Sequence, residues 1–177
     1  MSKRFNQFKG HYDNINNQYS YSGAYYRLRG GEKKRKAFSL REIILLVAGI
    51  ICIFVSGFTL AGRMSASWTV VVPFVLEIAV CAWQGWYLVK FLEDTGRFKE
   101  PTVKKVVPVL PWIGLIVSLF TLCGFIASLC IIYAFGTEGL ASYSICYIVT
   151  KMLHCVIGIL SFFNAKGLKF DPEDDFQ

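Results

Sequence analysis

The sequence lacks the residue clusters that most catalytic and metal sites require. It has only two histidines, His11 and His154, and they are too far apart in the chain to suggest a histidine-based metal site. No H-E-x-x-H or G-x-S-x-G motif occurs, and none of the six cysteines forms a C-x-x-C pair. We therefore expect neither an enzyme nor a protein that holds a cofactor or a metal ion.

Acidic residues are also scarce beside basic ones, at 12 Asp and Glu against 19 Lys and Arg, which gives a formal charge of +7. A basic excess is one sign of nucleic-acid binding. Here, however, the basic residues mainly flank long apolar segments. This placement indicates membrane orientation, and we expect no nucleic-acid partner.

The apolar residues form four long blocks, each long enough at 1.5 Å per residue to cross the hydrocarbon core of a bilayer. We place the spans at 43–62, 69–90, 111–133 and 143–163. Because the connections are short, neighbouring helices should be antiparallel. The predicted fold class is an all-α membrane protein, an antiparallel four-helix transmembrane bundle over residues 39–165.

Two polar tails should flank the bundle. Residues 1–38 are basic and rich in Tyr and Asn, and their composition predicts a mostly disordered cytoplasmic arm. Residues 166–177 predict an acidic, solvated cytoplasmic tail. Ser39 and Glu42 have the spacing of a capping box, which predicts the start of the first helix.

The distribution of Lys and Arg predicts the orientation of the spans. The first 41 residues contain ten of these residues and the middle connection contains five. The first loop has only Arg63, and the third has none. By the positive-inside rule, both termini and the middle connection should be cytoplasmic. We expect the protein to lie in the plasma membrane.

Charged residues inside two of the spans form the candidate site. Glu77 lies about 13 Å along its helix from the outer end, and Lys151 lies about 12 Å along its own, so the two should be at the same depth. A lone charge in hydrocarbon costs at least a few kcal/mol. We therefore predict that Glu77 and Lys151 face each other, and that Gln84 and His154 extend this polar track towards the cytoplasm.

Three interpretations of this track are open. A buried ion pair could simply fix the register of two helices. The track could instead bind protons or a ligand, because intramembrane ionisable groups often mark pathways and histidine titrates near neutral pH. Alternatively, one or both charges could meet the helix of another protein.

The expected partners are lipids and other membrane proteins. The basic run Lys33, Lys34, Arg35 and Lys36 should contact anionic headgroups at the cytoplasmic face. The absence of a large extramembrane domain favours an accessory or assembly role beside another membrane protein, or a homo-oligomer. The alternative is a small transporter, channel component or sensor that uses the polar track.

Overall fold

The structure is a computed structural model that describes residues 12–15, 18–21, 23–94, 96–137 and 139–173. The described residues include four helices that are long and apolar enough to cross a membrane, as the four apolar blocks predict. In chain order these helices, with one short helix between the first two, are α1 (Gly31–Thr59), α2 (Arg63–Ala66), α3 (Trp68–Glu93), α4 (Leu110–Phe135) and α5 (Ala141–Lys166).

The first helix begins earlier than the sequence pattern predicts. It starts at Gly31, where Gly30 has a positive φ of 103°, so Ser39 and Glu42 lie inside the helix and the predicted capping box is wrong. The basic run is helical because Lys, Arg, Glu and Ala are good helix formers. Glu32 and Lys36 also form an i,i+4 ion pair of 2.8 Å on its exposed side.

A small sheet covers one end of the bundle. The strands β3 (Tyr25–Leu28), β4 (Phe98–Lys99) and β5 (Phe170–Pro172) pair antiparallel in the order β4–β3–β5. Further towards the N-terminus, β1 (Tyr12–Ile15) and β2 (Gln18–Tyr21) form an antiparallel hairpin. We call the three-stranded sheet the cap, its side of the bundle the sheet end, and the opposite side the loop end.

The cap corrects the prediction of two unstructured tails. Residues 25–38 are strand and helix rather than disordered, and residues 170–172 belong to the sheet rather than to a solvated tail. The reason is an apolar cluster beneath the sheet, in which residues of both tails are packed. Its buried members are Leu28, Phe38, Phe91, Phe98, Leu110 and Ala165. Within the predicted arm, residues 1–11, 16, 17 and 22 lie outside the described residues, as do residues 174–177 of the predicted tail.

One ion pair joins the two tails at the surface of the cap. The Arg29 guanidinium donates two hydrogen bonds to the Asp171 carboxylate, of 2.7 Å and 3.1 Å. These bonds hold the pKa of Asp171 below its usual value. Both side chains are at least half exposed, so the pair contributes little stability beside the apolar cluster.

The four long helices form a ring in which α1 contacts α5, α5 contacts α4 and α4 contacts α3. A smaller contact between α3 and α1 closes the ring. The closest approach joins α4 to α5, where a Cβ added to Gly114 would lie 2.7 Å from the carbonyl oxygen of Gly158. Nearby, the Ser118 hydroxyl donates a 3.1 Å hydrogen bond to the Cys155 carbonyl. Small residues at this seam allow close backbone packing, as is common between membrane helices.

We expect Gly114→Ala to lower the free energy of unfolding by about 1–3 kcal/mol, because the added methyl group would force two backbones apart. The matched control is Gly85→Ala, whose added Cβ would make an ordinary 3.6 Å contact with Leu46. Unfolding in detergent micelles measures both variants. Equal stability of the two variants would contradict the close-packed seam.

Candidate functional site

Glu77, Lys151 and His154 meet in the interior of the bundle, and we call them the charge triad. Lys151 Nζ donates a hydrogen bond to Oε2 of Glu77, and His154 Nδ1 lies 2.5 Å from Oε1 of the same carboxylate. The side chains of Glu77 and Lys151 are fully buried, and that of His154 is 2% exposed. The predicted contact between Glu77 and Lys151 is therefore present, and His154 joins it.

The helical spacing of α5 explains this arrangement. Lys151 and His154 are three residues apart and so lie on one face of the helix, and both reach Glu77 of α3 across the interior of the bundle. Both oxygens of the carboxylate are occupied, one by an ammonium and one by an imidazole. An ion pair satisfied in this way avoids the cost of an isolated charge in hydrocarbon.

The geometry also assigns the two nitrogens of the His154 ring. Because Nδ1 lies against a carboxylate oxygen that accepts hydrogen bonds, it carries a proton, and Nε2 is the nitrogen that does not contact Glu77. Nε2 faces α1 at Gly49, where an added Cβ would lie only 3.0 Å away. A glycine at this position therefore makes room for the ring.

Weakly polar or small residues line the bundle interior around the triad. Cys52 of α1 and Cys81 of α3 are both buried, and Cys81 lies one helical turn from Glu77. From α4, Gly124 approaches, and its added Cβ would lie 3.9 Å from Lys151 Cε. Within the described residues, these neighbours add no second carboxylate to the triad.

Aromatic and apolar side chains close the triad on the side of the loop end. The ammonium of Lys151 lies 4.7 Å from the ring centroid of Phe74 and 5.2 Å from that of Tyr147. Tyr147 packs in turn with Met64 and Val70 in a buried apolar cluster. Cation–π contacts stabilise the ammonium here.

A second polar group lies towards the sheet end, and we call it the Glu42 network. Gln84 Nε2 donates to the Ser161 hydroxyl over 3.0 Å, and this hydroxyl donates to Glu42 Oε2 over 2.8 Å. Asn164 Nδ2 donates to Glu42 Oε1 over 2.8 Å. The predicted site residue Gln84 thus belongs to this network. In the described part of the chain, no direct hydrogen bond joins it to the triad.

Glu42 and Asn164 were missed from the sequence. The capping-box spacing gave Glu42 a local explanation, so its burial was not expected. A signal was present: Glu42, Gly49 and Ser56 are each seven residues apart, which places all three on one face of the helix. Extending the face of Gly49 and Ser56 by two turns towards the N-terminus would have placed the Glu42 carboxylate in the bundle interior.

The predicted lipid-contacting run points in several directions around α1. Lys33 is exposed and Lys36 pairs with Glu32, whereas Lys34 donates to the Gly167 carbonyl over 3.2 Å. Arg35 is partly buried, donating to the Leu92 carbonyl over 3.4 Å. Contact of these four residues with anionic lipid stays a prediction.

The described residues contain no group of three His, Cys, Asp or Glu side chains arranged to hold a metal ion. Comparison with known proteins gives no match to a family model, a curated sequence or a solved structure. The structure has the architecture expected of a multi-pass membrane protein, with four helices long and apolar enough to cross a membrane around a buried charge triad.

We expect Glu77→Gln to destabilise the protein by about 3–5 kcal/mol, because it leaves the Lys151 ammonium buried without a counter-charge. Adding Lys151→Met should recover most of this loss. Unfolding of the single and double variants in micelles gives the coupling energy.

The control cycle uses Lys90→Met and Glu93→Gln, which remove an exposed pair on α3 with an N–O distance of 2.8 Å. Coupling there should be below about 1 kcal/mol. Additive losses at Glu77 and Lys151 would contradict an energetically important pair.

Proposed function

We propose that this chain is a small non-enzymatic membrane protein that senses protons through the charge triad. The observation that carries the proposal is one buried carboxylate shared between Lys151 and His154. Histidine is the side chain that changes charge closest to neutral pH. A lysine ammonium and a histidine ring on one carboxylate form a group whose total charge changes when the ring takes up a proton.

The change in charge would act on α1. With Glu77 and Lys151 ionised and His154 neutral, the formal charges of the triad cancel, and protonation of His154 adds one positive charge. The proton would bind at Nε2, which faces the α1 backbone at Gly49. α1 contacts α5 much more extensively than it contacts α3. Protonation would therefore shift the packing of α1 against α5.

Polar side chains lie between the triad and the sheet end, where the Glu42 network supplies hydrogen-bonding groups up to the level of Gln84. Apolar clusters lie at both ends of the bundle, one beneath the cap and one around Met64, Val70 and Tyr147. Because a transporter or channel needs access from both ends, these clusters support a sensor over either of them. By the positive-inside rule, the sheet end and both termini face the cytoplasm, with the plasma membrane as the proposed location.

We expect a reversible, pH-dependent change in hydrogen exchange along α1 when the protein in lipid nanodiscs is titrated between about pH 5 and 8. His154→Gln should abolish this change, because glutamine still offers a donor to Glu77 but cannot take up a proton. Exchange is measured by mass spectrometry after correction for the intrinsic effect of pH.

The matched control is His11→Gln, which removes the other histidine of the chain and should leave the response intact. A response in His154→Gln equal to that of the unmodified protein would overturn the proposal. Proteoliposomes with an enclosed pH dye distinguish the alternatives. Proton flux above that of empty vesicles would indicate a transporter.

An accessory role beside another membrane protein is the second proposal, and the cap is the observation that favours it. The cap joins residues from three distant parts of the chain and has a recess of about 420 Å³ beside Arg27 and Arg35. The triad charges are satisfied within the chain, so a partner would bind the cap or the apolar helix faces. A second copy of the chain is the homo-oligomeric version of this proposal.

We expect purification from native membranes in mild detergent to retain a protein partner in fixed ratio, identified by mass spectrometry. Arg27→Glu should reduce this recovery, because it reverses a charge beside the recess. Lys90→Glu, a charge reversal in the last turn of α3 outside the lining of the recess, is the control. A monomer free of partners would count against the accessory role.

A further inference from the structure

We infer that the seam between α1 and α5 at the sheet end binds one anionic phospholipid. Two adjoining recesses of about 450 and 280 Å³ lie along this seam and share Arg41, Phe163 and Asn164. Together they form one groove, which we call the seam groove. The inference does not depend on proton sensing by the triad.

The part of the groove nearer the bundle centre is apolar. Ile44 of α1 and Leu160 and Phe163 of α5 line it, and each of these side chains is at least half exposed. Exposed apolar side chains on a membrane helix face hydrocarbon. This part of the groove therefore suits an acyl chain.

The part nearer the cap is basic. Lys34 and Arg41 are seven residues apart on α1, which places them on one face, and both line the groove. Arg41 is exposed, and no described acidic side chain pairs with it. An arginine guanidinium binds a phosphate through two parallel hydrogen bonds. The basic part therefore suits a lipid phosphate.

The neighbouring carboxylate does not oppose this assignment. Glu42 is 2% exposed, and its oxygens accept hydrogen bonds from Ser161 and Asn164 inside the bundle. Asn164 also lines the groove. Since its amide has two donor hydrogens and Glu42 takes one, the other is available to a headgroup.

The order of these groups distinguishes a phospholipid from other occupants. Along the helix axis the groove changes from basic at Lys34 and Arg41 to apolar at Ile44, in the order of headgroup and acyl chain. A free phosphate would leave the apolar wall unused. A zwitterionic lipid would bring its own cation beside two basic side chains, so an anionic lipid is the better match.

Native mass spectrometry of protein released from nanodiscs with equal amounts of phosphatidylglycerol and phosphatidylcholine tests the inference. We expect one phosphatidylglycerol to be retained preferentially. Arg41→Gln should weaken this retention about tenfold, the effect of losing a charge-assisted hydrogen bond. Arg41→Lys should weaken it less, because lysine keeps the charge but not the planar geometry.

The matched control is Lys166→Gln, which removes one exposed charge of α5 outside both recesses. It should retain the lipid as the unmodified protein does. Equal losses in Lys166→Gln and Arg41→Gln would indicate diffuse attraction and overturn the inference. So would equal retention of both lipids, displacement by excess inorganic phosphate, or a dimer of the chain in place of the bound lipid.

Discussion

The shared carboxylate of Glu77 is the interaction on which the arrangement of the bundle depends. A charge at this depth is tolerated only with a partner, so α3 and α5 must present Glu77 and Lys151 to each other at one level. This requirement fixes their relative rotation and translation. Two glycines lie beside these side chains: Gly49 makes room for the His154 ring, and Gly124 lies close to the aliphatic part of Lys151.

The same physics decides what could be predicted from the sequence. Hydrocarbon offers no hydrogen bonds, so an apolar run of sufficient length has to be a helix, and two opposite charges at one depth have to meet. These constraints predicted the four helices and the contact between Glu77 and Lys151. At the sheet end, polar groups can form hydrogen bonds with water instead. The same residues are therefore compatible with several structures there.

The predictions that proved wrong concern the sheet end. The capping-box pattern of Ser39 and Glu42 was locally reasonable, but the helix had already begun at Gly31. The cap depends on pairing between residues near positions 26, 98 and 171, which are far apart in the chain. Short strands with so few residues have no recognisable periodicity. The apolar cluster that stabilises them is formed by residues from all three regions and from the helix ends.

Asn164 links the two polar regions of the sheet end, since it donates to Glu42 and also lines the seam groove. A headgroup that binds Asn164 or displaces it would change the hydrogen bonding of a buried carboxylate on α1. Protonation of His154 would act on the same α1–α5 seam from deeper in the bundle. Linkage is reciprocal: if protonation changes lipid affinity, lipid binding must change proton affinity by the same factor. The α1–α5 seam is therefore the element through which lipid and pH could influence each other.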